Sequence, residues 1–365
     1  MALKCGIVGL PNVGKSTLFN CLTNAKAQAA NFPFCTIEPN IGIITVPDPR
    51  LEELTKIAKP QNIVPATIEI VDIAGLVKGA SKGEGLGNQF LGNIRSTNAI
   101  LHVLRCFEND NIIHVEGGID PIRDKDIIDT ELQFKDLESV DARISKVAKA
   151  AKAGGDKDAA KTHEVLLKIK QHLEQGKSVR SLGLEKEELE LIDDLNLLTV
   201  KPILYVCNVD EAGLKGNKWV DAVKEKAKEE QAEVIIISAA LEAEIAELED
   251  SEERAMFLKD YGLSESGLAQ LIRAAYKLLD YITYFTVGEK EVRAWTITKG
   301  FKAPQAAGVI HSDFEKGFIR AEVISYDDYV HYKSETAVKE AGKLGVEGKE
   351  YIVQDGDCMH FRFNV

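Results

Sequence analysis

The sequence predicts an α/β protein with a doubly wound, mainly parallel sheet of the P-loop type, an inserted antiparallel helical hairpin, and a smaller mixed α+β domain near its C-terminal end. Three observations support this class. Short apolar runs alternate with helical segments over residues 1–240, a stretch of 3-4-3-4 apolar spacing interrupts them, and short strand-like runs follow near the end of the sequence. Alternating strands and helices are typical of a parallel sheet covered by helices on both faces.

Five apolar runs predict the strands of the parallel sheet, and each run ends where a polar or glycine-rich loop begins. They are residues 5–10, 67–73, 100–106, 202–207 and 234–237. Ligands of such sheets bind at the carboxyl ends of the strands. We therefore expect the loops after these runs to carry the chemistry.

Between the third and fourth runs, two series of apolar residues repeat at helical spacing on either side of Gly154 and Gly155. The first series is Leu137, Val140, Ile144, Val147 and Ala151, and the second is Ala159, Thr162, Leu166, Ile169 and Leu173. This pattern predicts a helical hairpin with arms of roughly 30 to 40 Å. A solvated helical lid, with lysines that serve only solubility, is the alternative.

Charge is distributed unevenly along the chain. The net charge is −13, yet residues 141–180 carry eight Lys and two Arg against five Asp and Glu, a balance of +5 that leaves −18 for the remainder. A uniform attraction to nucleic acid is therefore excluded, whereas the hairpin is a candidate RNA contact. No apolar run approaches the roughly 18 residues of a membrane span, and the N-terminal residues lack a signal-peptide pattern. We expect a cytoplasmic protein with no membrane partner.

Six cysteines occur without a CxxC pair or regular spacing. Neither a zinc site nor a disulfide framework is predicted. We expect most of these cysteines to be small buried apolar residues.

Residues 9–16 read GLPNVGKS and match the phosphate-binding pattern G-x-x-x-x-G-K-[ST] between a predicted strand and a predicted helix. In this motif backbone N–H groups surround the phosphates, Lys15 reaches the β- and γ-phosphates, and the Ser16 hydroxyl binds Mg²⁺. The expected nucleotide-binding residues of this loop are Asn12, Val13, Gly14, Lys15, Ser16 and Thr17.

A phosphate sensor is predicted where the second apolar run ends, in Asp72-Ile73-Ala74-Gly75. The Asp72 carboxylate is expected to hold Mg²⁺ through water, and the Gly75 N–H to meet the γ-phosphate. Thr36 is the candidate for a second magnesium hydroxyl. Several glycines follow Gly75, as is typical of a segment that nucleotide orders and hydrolysis releases, although a plain flexible loop is the alternative.

Taken together, the P-loop, the glycine-rich run after Asp-x-Ala-Gly-Leu and the motif Asn208-Val209-Asp210-Glu211 resemble the Obg-like ATPase family, called YchF in bacteria. The likeness extends over nearly all of the chain. It implies an Obg-type nucleotide-binding domain at residues 1–277, a coiled-coil insertion at about residues 128–199, and a ubiquitin-like TGS domain at residues 278–365. Residues 306–313 and 318–319 resemble the core of that domain.

The base-reading loop departs from the Asn-Lys-x-Asp motif of GTPases, because Val209 replaces lysine and Glu211 replaces aspartate. The longer glutamate is expected to be displaced from the guanine edge, and a lost acceptor costs discrimination. Chemistry and resemblance both favour ATP, with Asn208 bonding to the purine. The Ser238 loop is expected to support the base. The alternative is that Glu211 still reads guanine after a small shift.

Catalysis is less well defined by the residues. Leu76 stands where many related GTPases carry the glutamine that orients water, so intrinsic turnover is expected to be slow. Related families with this P-loop asparagine imply that Asn12 binds K⁺ beside the phosphates. His114 is a candidate water-positioning residue, and a solvent-exposed loop histidine is the equal alternative.

These features favour an ATP-hydrolysing switch that uses Mg²⁺. The resemblance implies association with the ribosome, through its large subunit and the 70S particle, and the basic hairpin is expected to contact ribosomal RNA. Two alternatives remain. One is a GTPase of ribosome assembly, which the base loop opposes, and the other is an adaptor that holds nucleotide with negligible turnover.

Replacing Val209 with lysine and Glu211 with aspartate restores the guanine-reading residues of ordinary GTPases. If this loop sets the preference, Val209→Lys/Glu211→Asp should shift affinity toward GTP by at least about tenfold, or about 1.4 kcal/mol. Calorimetric titration of ATP and GTP into both proteins measures the shift. An unmoved preference would place specificity elsewhere, and a wild type that prefers GTP would overturn the ATPase assignment.

Overall fold

The computed structural model describes residues 4–24, 41–73, 86–152, 157–248 and 250–364. The chain forms two compact units. Unit 1 comprises Met1–Gly42 and Glu69–Ala275, and unit 2 comprises Ile43–Ile68 and Tyr276–Val365. Among the described residues, no helix combines the length and the apolar character needed to cross a membrane.

The described strands and helices are numbered along the chain. The strands are β1 (Lys4–Val8), β2 (Ile41–Thr45), β3 (Asn62–Val64), β4 (Thr67–Asp72), β5 (Ala99–Arg105), β6 (Ile203–Asn208), β7 (Glu233–Ile237), β8 (Tyr281–Val287), β9 (Glu291–Thr298), β10 (Phe318–Ile324), β11 (Gly345–Glu347) and β12 (Cys358–Phe363). The helices are α1 (Lys15–Asn24), α2 (Pro49–Ala58), α3 (Leu86–Arg95), α4 (Pro121–Lys152), α5 (Lys157–Glu174), α6 (Lys186–Glu190), α7 (Lys218–Glu229), α8 (Ala239–Glu247), α9 (Ser251–Asp260), α10 (Gly267–Leu278), α11 (Ala303–Ile310), α12 (Ser312–Lys316), α13 (Tyr326–Tyr332) and α14 (Glu335–Glu340).

The main sheet has the strand order β2-β4-β1-β5-β6-β7. Neighbouring strands pair in parallel from β4 through β1, β5 and β6 to β7. Every residue of β5 and β6 is buried, as expected for central strands covered on both faces. The five predicted strands and the α/β class are confirmed. β1 lies between β4 and β5, so the loop after β1 lies at the point where the strand order reverses, which is the usual ligand site.

A helical hairpin of α4 and α5 forms where the 3-4-3-4 spacing predicts it. Four residues of the two series, Val140, Leu166, Ile169 and Leu173, are buried in its core. Val165, which belongs to neither series, and residues after α5 such as Val179 and Ile192 complete the core. Gly154 and Gly155 lie outside the described residues. α4 is one continuous helix of 32 residues and begins at Pro121, before the approximate start of the insertion that the family resemblance implies.

The base of the hairpin is held by a buried carboxylate that the sequence did not single out. Asp136 on α4 accepts hydrogen bonds from the backbone N–H groups of Leu198 and Thr199 and from the Thr199 hydroxyl, each at 2.7 Å. The Thr199 hydroxyl in turn accepts the N–H of Val179 at 3.2 Å. These bonds fix the segment that leads from the hairpin into β6.

Unit 2 contains a second sheet, of order β11-β10-β12-β8-β9-β3. β8 pairs antiparallel with β9, and β10 pairs antiparallel with β12 and β11, whereas the pairs β12–β8 and β3–β9 are parallel. The mixed pairing agrees with the predicted α+β domain. Its core includes Tyr284, Ala307, Phe318, Met359 and Phe361.

Unit 2 also contains Ile43–Ile68, which the sequence-based boundary had placed in the nucleotide-binding domain of residues 1–277. Two contacts explain the difference. Asn62 of β3 pairs with Glu291 of β9, and Arg50 of α2 forms an ion pair with Asp355 at 2.9 Å. A three-residue strand whose partner lies more than 200 positions away leaves no periodic signal in the sequence.

Asp136→Ala should destabilise unit 1 by about 2 to 4 kcal/mol, because it leaves buried backbone N–H groups without acceptors. Urea unfolding monitored by Trp219 fluorescence, in a Trp295→Phe background, measures this change. Asp141→Ala is the matched control, because its carboxylate is 48% exposed and pairs with the partly exposed Lys170, so it should contribute less than about 1 kcal/mol. Equal effects of the two substitutions would contradict the bracing role of Asp136.

Candidate nucleotide-binding site

The P-loop connects the end of β1 to the start of α1 and includes Gly14, a position where a side chain would be strained. Gly14 has a φ of +101°, which side chains disfavour. A Cβ at this position would lie 2.3 Å from Nδ2 of Asn208. Gly14 is therefore required both by the loop conformation and by the approach of Asn208 from the end of β6.

Lys15 begins α1, and its side chain is buried in the P-loop. Its Nζ donates a hydrogen bond to the carbonyl oxygen of Leu10 at 2.7 Å. Burial lowers the pKa of Lys15 to about 8, and the charge of Asp72 partly offsets this effect. A bound triphosphate would supply compensating negative charge and stabilise the ammonium form.

Asp72 ends β4, whose register places it beside Ile7 of β1 and hence next to the P-loop. Burial raises the pKa of Asp72, while Lys15 acts in the opposite direction. Its buried Oδ1 has no hydrogen-bond partner among the described residues. An unpartnered carboxylate oxygen here fits a Mg²⁺ ion and its bound water, with the exposed Ser16 hydroxyl at the start of α1 as the direct ligand. Thr36, Gly75 and Leu76 lie outside the described residues.

Asn208 links the phosphate loop to the Ser238 loop, which the sequence predicts to be the base-supporting loop. Its Nδ2 donates to the carbonyl oxygen of Val13 at 2.8 Å, and its Oδ1 accepts the N–H of Ala239 at 3.0 Å. The side chain is buried. Both ends of the amide are thus engaged with backbone, so Asn208 braces the pocket in this structure instead of presenting a free amide to the purine.

The other base-loop residues lie near Asn208 but have different environments. Val209 is buried, and its N–H donates to the carbonyl oxygen of Ile237 at 2.8 Å. Glu211 is exposed. Ser238 is buried as the N-cap of α8, where its hydroxyl accepts the N–H of Leu241. Of this set, Glu211 is the one residue that is exposed.

His114 does not occupy the solvent-exposed position that was one alternative, because its side chain is only 5% exposed. Nδ1 accepts the N–H of Glu116 at 3.1 Å, and Nε2 lies 2.8 Å from Oδ2 of Asp124. With Nδ1 as an acceptor, Nε2 carries the proton that is donated to Asp124. Both ring nitrogens are occupied, so His114 would have to leave these partners to orient water.

Three residues around the site were missed by the sequence reasoning. Arg105, the last residue of β5, has a buried guanidinium bonded to backbone carbonyls of the following loop. Asp124 is the buried partner of His114. Glu242 lies in the first turn of α8, directly after Ser238 and Ala239. Arg105 could have been recognised as a charged residue inside an otherwise apolar run. The sequence offers no such signal for Asp124 or Glu242.

Glu242 is only 2% exposed. Its Oε1 accepts the N–H of Gly267 at 2.6 Å, at the start of α10, while Oε2 is buried without a partner among the described residues. Burial raises the pKa of Glu242 from 4.5 to about 7, and the backbone hydrogen bonds from Gly267 and Leu268 moderate the rise. The base-supporting loop is thus connected to α10 through a carboxyl group that is half-protonated near neutral pH.

The phosphate loop at the sheet's reversal point, the adjacent Asp72 and the Asn208 brace define a P-loop nucleoside-triphosphate-binding protein. Comparison with protein families agrees. Residues 4–152 match a family model described as 50S ribosome-binding GTPase. Residues 281–364 match the model YchF-GTPase_C, described as a protein of unknown function.

Curated relatives are similar along their whole length. The chain is 60% identical to the ribosome-binding ATPase YchF of Haemophilus influenzae and 56% identical to that of Bacillus subtilis, and both alignments cover all of each chain. The solved YchF GTPase of Schizosaccharomyces pombe matches with a TM-score of 0.90 at 41% identity, covering 99% of this chain and 97% of that one. The chain belongs to the YchF family, as the sequence motifs predicted.

Glu242→Gln should change how stability depends on pH. Because the folded pKa of about 7 exceeds the ordinary 4.5, the stabilising contribution of Glu242 is complete below pH 4.5 and is lost as pH rises through about 7. A neutral glutamine keeps an acceptor for Gly267, so it should stabilise unit 1 more at pH 8 than at pH 5, by up to about 3 kcal/mol. Urea midpoints at both pH values test this, with exposed Glu247→Gln as the control. A pH-independent effect would contradict the assignment.

Proposed function

We propose that this protein is an ATP-hydrolysing switch that binds the ribosome and couples its nucleotide state to that association. The observation that carries the proposal is a P-loop next to the unpartnered carboxylate oxygen of Asp72, in a chain whose full-length relatives are named ribosome-binding ATPases. The P-loop and Asp72 support phosphate and metal chemistry. The names of the relatives support the ribosome as the partner.

In the proposed reaction Lys15 neutralises the β- and γ-phosphates, and backbone N–H groups of residues 12–17 surround them. Ser16 and, through water, Asp72 would hold Mg²⁺, with Thr36 as a further ligand. The ion, when bound, supplies charge neutralisation at the phosphates. The Gly75 N–H is proposed to sense the γ-phosphate. Lys15, buried with a lowered pKa, becomes fully charged as phosphate binds.

Nucleotide choice is proposed to favour ATP because Val209 and Glu211 replace the guanine-reading lysine and aspartate. Val209 is buried, so it presents no polar group to a base. Glu211 is exposed, and its longer side chain would displace the carboxylate from the position that aspartate occupies beside guanine. Asn208 and Ser238 support the pocket through backbone contacts.

Water activation is proposed to involve K⁺ and His114. The Asn12 Nδ2 donates to the carbonyl oxygen of Ile113 at 3.1 Å, which leaves its Oδ1 for a cation beside the phosphates. His114 would need to exchange its bond to Asp124 for one to water. Because both ring nitrogens of His114 are engaged, we expect slow turnover in isolation.

The hairpin is proposed to contact ribosomal RNA of the large subunit and of the 70S particle, in the cytoplasm. The described cations of the two helices differ in their pairing. Arg143, Lys168 and Lys170 form ion pairs at 2.6 to 3.2 Å with acidic residues of unit 1. Lys146 and Lys161, near the tip, are exposed and form no ion pair with described residues. Of the lysines near the tip whose side chains the structure describes, these two are available as phosphate ligands. We also propose that residues 278–365 form a ubiquitin-like TGS domain.

A GTPase of ribosome assembly is the second candidate. The family model matched by residues 4–152 is described as a GTPase, and so is the solved relative from Schizosaccharomyces pombe. The base loop favours ATP, and turnover of the two nucleotides with and without ribosomes separates these functions. Turnover that is negligible in every condition would instead support a nucleotide-holding adaptor.

Lys146→Glu/Lys161→Glu should weaken ribosome association and reduce its salt dependence. Losing two phosphate contacts should lower the slope of log affinity against log salt by about 1.5. Sedimentation with 70S ribosomes between about 50 and 200 mM salt measures it. Lys299→Glu/Lys316→Glu in unit 2 is the control, since both lysines are exposed and the change in net charge is the same. Equal weakening by the hairpin and control variants would contradict RNA contact by the hairpin.

The phosphate site is tested separately. Lys15→Ala should abolish ATP hydrolysis in the presence of ribosomes, because the phosphates lose their buried cation. In the wild type, rates in K⁺ should exceed those in Na⁺. Undiminished hydrolysis in Lys15→Ala would overturn the proposed site.

A further inference from the structure

The segment of residues 106–118, here called the bridging loop, connects β5 to α4 and is held by side chains from several elements. On the sheet side, the Arg105 guanidinium donates to the carbonyl oxygens of Phe107, Ile112 and Asn109 at 2.9 to 3.2 Å. The Arg105 guanidinium also lies 4.7 Å from the ring centre of Phe107. One buried cation thus sets the path of the first half of the loop.

The nucleotide side of the bridging loop contacts the P-loop directly. Asn12, which has a φ of +62°, directs its Nδ2 to the carbonyl oxygen of Ile113. The first residue of the bridging loop, Cys106, is also held by the end of β6 and the start of α7. Its N–H donates to the Asn208 carbonyl at 2.8 Å, and the Asn217 side chain donates to its carbonyl at 2.8 Å. A change in the P-loop conformation therefore acts on Ile113 through one hydrogen bond.

The far end of the bridging loop is attached to the first turn of α4. His114, one residue after Ile113, donates to the buried carboxylate of Asp124. Arg123 donates to the carbonyl oxygens of Glu116 and Gly118 and to Oδ1 of Asp124. The carboxylate of Asp124 therefore joins the loop and the helix start at a single point.

α4 connects this point to the tip of the hairpin. It runs without interruption from Pro121 to Lys152, about 48 Å at 1.5 Å per residue. Its packing against α5 and its bonds through Asp136 favour movement of the hairpin as one rigid element. A small displacement of the first turn of α4 would be enlarged along this length.

We propose that the bridging loop couples the nucleotide site to the helical hairpin, and that Asp124 is the positioning residue through which α4 responds to the P-loop. This inference rests on the proposed function and adds the route of its regulation. Asp124 is buried in the first turn of α4. It acts by holding His114 and Arg123, which fix the loop that Asn12 contacts.

Hydrogen–deuterium exchange of the full chain tests the coupling without ribosomes. In wild type, a non-hydrolysable ATP analogue with Mg²⁺ should change exchange in the first turns of α4 by about fivefold or more, the lower range of coupling between two sites. In Asp124→Asn the change should fall to about twofold or less. Exchange in α11 of unit 2 serves as the internal reference.

Asp126→Asn is the matched control, because Asp126 is on the same turn, its side chain is 59% exposed, and its carboxylate lies 3.8 Å from the Lys125 ammonium. It should retain the wild-type response. If Asp124→Asn unfolds, Arg123→Ala removes two loop contacts at a side chain that is 35% exposed, and the same loss is expected. A full response of α4 in whichever of these variants folds would overturn the proposal.

Calorimetric titration of the analogue into each protein separates this inference from the function on which it rests. Wild type that binds no ATP analogue would overturn the proposed function. Binding with no change in α4 would overturn the coupling alone. A diminished α4 response in Asp124→Asn, at unchanged analogue affinity, supports Asp124 as the positioning residue.

Discussion

The buried amide of Asn208 is the contact on which the geometry of the nucleotide site depends. It donates to the P-loop at Val13 and accepts from the base-supporting loop at Ala239, so one planar group fixes the separation of the phosphate and base ends of the pocket. The requirement for Gly14 follows from it, because any Cβ there would collide with the amide. Both loops leave carboxyl ends of parallel strands, which brings them within reach of one short side chain.

Electrostatics prepares this frame for a metal and phosphates. Burial lowers the pKa of Lys15 and raises the pKa of Asp72, so it favours the neutral form of both side chains. The charge of each side chain opposes the pKa shift of the other. A charged group that is removed from water without an opposite charge beside it is costly. Phosphate next to Lys15 and a metal ion near Asp72 would each supply the missing opposite charge. The site is thus less well satisfied without its ligands than with them, which is a reason for it to respond to nucleotide.

The hairpin shows how a charge count changes once contacts are known. Part of the positive charge of residues 141–180 is paired within unit 1, by Asp141 of the same segment and by carboxylates outside it such as Glu188. Phosphate contact then depends on a few unpaired lysines, not on the whole positive balance. The hairpin helix α4 also carries the carboxylates that join the hairpin to the rest of the unit, Asp136 at the base and Asp124 at the start of the helix.

Local patterns in the chain were sufficient for the P-loop, the parallel strands, the helical hairpin and the family, because each depends on neighbouring residues and on regular spacing. The roles of Asp136, Asp124 and Glu242 could not be predicted from the sequence, because the local sequence does not distinguish a buried carboxylate from a solvated one. Arg50 and Asp355 are 305 positions apart, and only folding brings them together in unit 2. Partners distant in the chain decide burial and hydrogen bonding, and these decide which polar residues act.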